Sequence, residues 1–208
     1  MPDSSKIKKF GESIQGGVIK PGDSNYDESR KIWNAMIDKK PALIVQVANA
    51  DDVSAAIKFA KENKLEITIR GAGHNIAGNC ICDDGLMIDF SMMKKVQVNP
   101  DKKTAIVQPG ATLKDFDTET QKYGLATPVG INSTTGIAGL TLGGGFGWLT
   151  RKYGFTVDNL LSAEVVTVDG VKLKASEKEN NESVFHGTDD SNQHELHQLP
   201  PRIGGYTW

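Results

Sequence analysis

The apolar residues are spaced differently in successive stretches of the chain, and the spacing predicts its elements. Residues 1–40 are a polar lead-in. Ile7, Phe10 and Ile14 fall on one face of a short helix that Ser4 or Ser5 would cap. Asp23-Ser24-Asn25 marks a turn, a second short helix is expected over Asp27–Met36, and Asp38-Lys39-Lys40-Pro41 breaks the chain. Ala42–Val47 is a continuous apolar run, the pattern of a strand buried on both faces. Val53, Ala56, Ile57 and Ala60 form the stripe of an amphipathic helix over Asn49–Asn63, with Asp51 or Asp52 serving its N-terminus. Leu65–Arg70 reads as the next strand, so this stretch is a βαβ unit with parallel strands and a right-handed crossover. A third strand is expected at Leu86–Asp89.

Further along, Lys95–Val98 and Thr104–Gln108 flank the turn Asn99-Pro100-Asp101 and predict an antiparallel hairpin. Thr112 caps a helix through Tyr123, with Gly124 as its stop. Leu160–Val168 reads as a strand, Asp169-Gly170 as a hairpin turn and Val171–Lys174 as the return. After about Ser176 the apolar pattern ends, and the stretch carries three of the four histidines. The expected organisation is α+β. It has a lead-in (1–40), a subdomain with a short parallel βαβ sheet (41–98), a subdomain with an antiparallel sheet and helices (99–176), and an atypical, poorly ordered tail (177–208).

Composition narrows the function classes. The 208 residues are 38% hydrophobic and 24% charged, enough for a sizeable core. A formal net charge of -2 leaves no global basic field for nucleic acid or acidic lipid. No stretch approaches the roughly 20 apolar residues needed to cross a bilayer. The basic start has no apolar run behind it, so a cytoplasmic chain without a signal segment is expected. Cys80-Ile81-Cys82 lies beside Asp83 and Asp84, but no second Cys or nearby His completes a zinc site. The two cysteines read as reduced thiols, and no metal is expected.

The 22 glycines exceed the average of about 7%. They concentrate in two segments. Arg70-Gly71-Ala72-Gly73-His74-Asn75-Ile76-Ala77-Gly78 leaves a strand end, where glycines let backbone N–H groups approach an anion and the arginine adds charge. A tight connecting turn is the plain alternative. His74 is a candidate ligand, acid/base, covalent attachment point or ordinary surface residue, and its spacing does not choose among these. Residues 130–154 hold eight glycines, too many for an ordinary helix or strand interior, and imply backbone close to a flat or phosphorylated group. The segment lacks G-x-x-x-x-G-K-[ST] and does not sit in a βαβ unit as a Rossmann fingerprint requires.

Six elements in order carry a family resemblance: PALIVQVANADDVSAAIKFAKEN, RGAGHNIAG, LMIDFSMM, TAIVQPGATL, GINSTTGIAGLTLGGGFGWLTRKYG and VDNLLSAEVVTVDG. Over roughly residues 35–178 the chain resembles the PCMH-type FAD-binding domain of the vanillyl-alcohol-oxidase-type flavoproteins, specifically the berberine-bridge-enzyme-like oxidoreductases. The resemblance implies FAD. It places Arg70, Gly71, Ala72, Gly73 and His74 around the pyrophosphate, with His74 attached covalently to the 8α-methyl and Asn75 and Gly78 also binding the cofactor. Pro109 and Gly110 match a turn that also approaches the cofactor. Gly130, Ser133, Thr134, Gly136, Gly139, Gly144 and Gly147 match the segment lying along it.

Many relatives carry a second flavin-bonding cysteine where Asn132 stands, so the chain resembles the singly attached branch. The implied reaction is hydride removal from a C–H next to oxygen or nitrogen of a small-molecule substrate, onto flavin N5, with molecular oxygen as acceptor. Family chains also continue into a substrate domain that is not recognisable here. The chain therefore reads as C-terminally truncated, and a non-catalytic flavin-binding fragment is the alternative.

Overall fold

Leu43, Ile44, Val45 and Val47 are fully buried, and the strand they start, Leu43–Gln46 (β2), runs through the first core. The helix that follows, Ala50–Glu62 (α3), begins where the Asn49 side chain accepts the Asp52 N–H at 2.9 Å. Its buried Val53, Ala56, Ile57 and Ala60 are the stripe read from the sequence. These elements belong to a computed structural model that describes residues 2–180 and the backbone of Ile203–Thr207.

Among the described residues the strands form two sheets. The first has the order β1 (Gly17–Ile19), β2, β4 (Leu86–Asp89), β3 (Ile67–Arg70). β2 and β3 are parallel, as the βαβ reading expects, but each pairs with β4, which lies between them. All four β4 residues are buried, so this strand takes the centre.

The lead-in is part of this sheet. β1, unforeseen in the sequence, pairs antiparallel with β2. It is tied down by the buried Asp52 carboxylate, which accepts the N–H groups of Gln15 and Gly16 at 2.9 Å each. The first helix, Ser4–Ser13 (α1), buries Ile7 and Phe10, but Asp3 holds the flanking position and Ser4 and Ser5 lie inside the helix. The second helix is one turn, Tyr26–Ser29 (α2), where Asp27–Met36 was expected. Past this turn the carbonyls of Ser29 and Lys31 accept from the Arg70 guanidinium, which ties this stretch to the loop after β3.

The second sheet has the order β5 (Val96–Asn99), β6 (Thr104–Val107), β9 (Ile203–Thr207), β7 (Ser162–Val166), β8 (Lys172–Ser176). The 96–99 strand pairs with β6, so the division between the sheets falls before residue 96, not at 98. Leu113–Thr120 (α4) starts with a full capping box, in which Thr112 and Asp115 each satisfy the other's backbone N–H. A short 3₁₀ turn, Gln121–Tyr123, ends at Gly124 with φ 65°, the predicted stop. Most of the tail lies outside the described residues. Of the described part, residues 177–180 turn back onto Ser176, and Ile203–Thr207 forms β9, antiparallel to both β6 and β7.

The second glycine-rich segment contains a helix the sequence argued against, Ile137–Leu142 (α5), followed by the single turn Thr150–Tyr153 (α6). Burial of Ile137, Ala138 and Thr141 outweighs the low helix propensity of Gly139. The two halves meet where the Ser54 hydroxyl on α3 donates to the Gly170 carbonyl in the β7–β8 turn at 2.9 Å.

Candidate functional site

The loop leaving β3 lies open along its backbone. Among the described residues, none of the N–H groups from Gly71 to Ala77 donates to a protein acceptor. Gly73, at φ +72°, takes a left-handed turn within the loop, and Gly78, at φ +73°, closes it with its N–H on the Asn75 carbonyl at 3.1 Å. Consecutive outward N–H groups form a concavity suited to an anion. At the loop's end the Asn75 side chain accepts the Asn79 N–H at 2.9 Å and holds the turn.

This loop walls a cleft of about 430 Å³ running along β3. Ile67, Thr68, Ile69, Gly71, Ala72, Gly73, His74, Asn75, Asn79 and Cys80 line it on one side, and Thr135, Gly136, Gly139 and Leu140 on the other. The two glycine-rich segments touch at its floor, since a Cβ on Gly136 would lie 2.9 Å from the Cβ of Ala72. At Gly139 an added Cβ would meet nothing within 4 Å. That side of α5 is therefore open space inside the cleft. A larger cleft, about 520 Å³, lies between the start of α3 and the second sheet, and Pro109 is the one sequence-predicted residue on its wall.

His74 is half-buried at the loop. Its Nε2 lies 2.7 Å from Thr134 Oγ1, and its ring stacks on Trp33 with centroids 5.1 Å apart and planes at 27°. Burial lowers its pKa below the ordinary value. The ring is thus neutral near pH 7, with a lone pair on one nitrogen.

The other predicted residues divide by role. Arg70 does not line the cleft. It meets the fully buried Asp89 through two bonds of 3.0 and 2.9 Å and the carbonyls of Ser29 and Lys31 at 2.5 and 2.9 Å. It anchors the loop and the lead-in together instead of presenting charge to the cleft. Pro109 and Gly110 back the loop: a Cβ on Gly71 would lie 3.2 Å from the Pro109 carbonyl oxygen, and one on Gly110 would lie 1.8 Å from that of Phe90. Gly130 packs against Leu113 and Leu140, and Gly147 packs against the Val129 carbonyl. Ser133 offers its carbonyl to Lys114, and Gly144, at φ +90°, sits in the turn after α5.

Sequence reasoning gave Trp33 no role; it fell inside the expected Asp27–Met36 helix, where only Tyr26–Ser29 is helical. It named Asn132 only as a cysteine replacement, while the structure joins Asn132 to Thr134 and so to His74. Cys80 lines the cleft and Cys82 contacts the Thr68 hydroxyl at 3.4 Å. Burial raises the pKa of both thiols. Among the described residues no three His, Cys, Asp or Glu side chains gather to hold a metal ion, and no helix is long and apolar enough to cross a membrane.

The family described as FAD binding domain matches residues 41–176. An FAD-linked oxidoreductase of Dictyostelium discoideum is 38% identical over 180 residues, covering 86% of this chain and 39% of the relative. The (R)-6-hydroxynicotine oxidase of Paenarthrobacter nicotinovorans is 34% identical over 206 residues, covering 94% of this chain and 45% of the relative. Among solved structures, 6-hydroxy-D-nicotine oxidase from Arthrobacter nicotinovorans superimposes with a TM-score of 0.81 at 37% identity, covering 83% of this chain and 38% of that one. A BBE-like protein of Physcomitrella patens gives 0.85 at 26% identity, covering 97% and 43%. The chain thus spans less than half the length of these relatives.

Proposed function

This chain belongs to the FAD-linked oxidoreductases with a PCMH-type FAD-binding domain, and from that premise we propose that it holds FAD in the cleft between its two glycine-rich segments, with His74 as the covalent attachment point. The carrying observation is the row of N–H groups from Gly71 to Ala77, without protein acceptors among the described residues, along the wall that also bears His74. These amides suit the FAD diphosphate as hydrogen-bond donors to its oxygens. The open space beside Gly139 leaves room for the cofactor along α5.

When bound, the flavin supplies the redox chemistry, taking a hydride at N5 from a C–H next to oxygen or nitrogen of a small-molecule substrate and passing electrons to dioxygen. The protein's residues bind and orient. His74, kept neutral by partial burial, provides a nucleophilic nitrogen. With FAD held in the cleft, that nitrogen would be the point at which His74 ties the cofactor to the chain. What supports an oxidase reading is that a relative aligned over 94% of this chain, at 34% identity, is a named oxidase.

The test is direct. Purified protein is incubated with FAD, denatured and run on a gel. Flavin fluorescence should travel with the polypeptide and be lost in His74→Ala, whereas wild-type protein that takes up no FAD overturns the proposal. Oxygen uptake on a panel of alcohols, sugars and amines then tests for turnover.

A further inference from the structure

We infer that Trp33, Thr134 and Asn132 are positioning residues that clamp the His74 imidazole in one orientation and one tautomer. The role given to that clamp rests on the proposed attachment at His74. Three observations carry it.

The first is the stack. Trp33 is 56% exposed, so it contributes little as a core residue, yet its ring covers that of His74 at 5.1 Å. The second is how Trp33 is held. Its N–H donates to the Gly73 carbonyl at 3.0 Å, and the next residue, Asn34, donates its side-chain N–H to the Ile76 carbonyl at 2.8 Å. The lead-in is thus pinned to the loop on both sides of His74.

The third is the count of hydrogens at Thr134. The Asn132 side-chain oxygen accepts both the Thr134 backbone N–H at 3.0 Å and the Thr134 hydroxyl at 2.9 Å. A hydroxyl has one hydrogen to donate. With it directed at Asn132, the 2.7 Å contact to His74 requires the hydrogen to sit on Nε2 and the lone pair on Nδ1. A free neutral imidazole exchanges tautomers and rotates about its side-chain bonds. A ring held by a stack on its face and a hydrogen bond at its edge has already lost that freedom, which lowers the entropic barrier to reaction at one nitrogen.

The experiment reads the ring itself. ¹⁵N spectra of the imidazoles are recorded on the unloaded chain at about pH 8, where histidine is neutral. His74→Ala assigns the signal against the other three histidines. The Nε2–H form should dominate in wild type and in Thr134→Ser, and give way to a mixture in Thr134→Val. With excess FAD, the rate of covalent attachment should fall about tenfold or more in Thr134→Val and in Trp33→Ala, and recover in Thr134→Ser and Trp33→Phe. A mixed or Nδ1–H tautomer in wild type overturns the inference. So does a Thr134→Val protein with unchanged tautomer and unchanged rate. A wild-type ring locked as Nε2–H on a chain that never attaches flavin supports the clamp and overturns the attachment instead.

Discussion

The two glycine-rich segments look alike in the sequence and do opposite things in the fold. In the loop after β3, Gly71 and Gly73 belong to a run of amides, Gly71 to Ala77, that is left open beside a cleft. In the segment of residues 130–147 several of them let other parts of the protein pack close: Gly136 against Ala72, Gly145 against the Thr156 side chain, Gly147 against the Val129 backbone. Only Gly139 and Gly144 face open space there. A missing side chain creates room, and the tertiary structure decides whether a ligand or the protein itself takes it.

Four substitutions or conditions sharpen this contrast. The largest effect is expected from Gly147→Ala, whose Cβ would sit 1.9 Å from the Val129 carbonyl oxygen. The backbone must move, costing about 3 kcal/mol and lowering the melting temperature by about 6–12 °C. An unchanged melting temperature would remove the packing role assigned to this segment. Gly73→Ala should cost about 1 kcal/mol, because φ is +72° while the nearest atoms stand at an ordinary 3.6 Å. Its FAD binding should weaken as the loop amides shift.

Gly139→Ala should move stability and binding in opposite directions. Alanine in α5 gains up to about 1 kcal/mol of helix propensity. Its methyl then enters the cleft and should weaken FAD binding about tenfold, within the usual range for overpacking. Calorimetry with and without FAD separates the two, and an unaltered affinity places the cofactor elsewhere.

The smallest effect is a pH slope. Folding lowers the His74 pKa from about 6.5. Between the folded and unfolded values the unfolded chain binds more protons, so stability falls as pH drops below about 6.5 and is unaffected above it. Urea titrations at several pH values should show a shallower slope for His74→Gln.

Much of this was legible from residue order. The α3 stripe, the Thr112 cap, the Gly124 stop and the loop after β3 follow local rules of periodicity and turn chemistry, and the structure carries them at the expected positions. The length of α2, the place of β1 and the helix α5 were not, because each depends on partners far along the chain. Arg70 holds the Ser29 carbonyl from 41 residues away, Asp52 fixes β1 from 36, and buried contacts stabilise α5 against its own glycine.

The same division holds for the site. The sequence by itself determined which loop follows β3, that His74 lies in it, and the family to which the chain belongs, since all three are properties of neighbouring residues. Only the tertiary structure turned Arg70 away from the cleft toward Asp89, opened the cleft beside Gly139, and brought Trp33 and Thr134 to two sides of one imidazole. Those are contacts between residues 19 to 60 positions apart, and no local pattern encodes them.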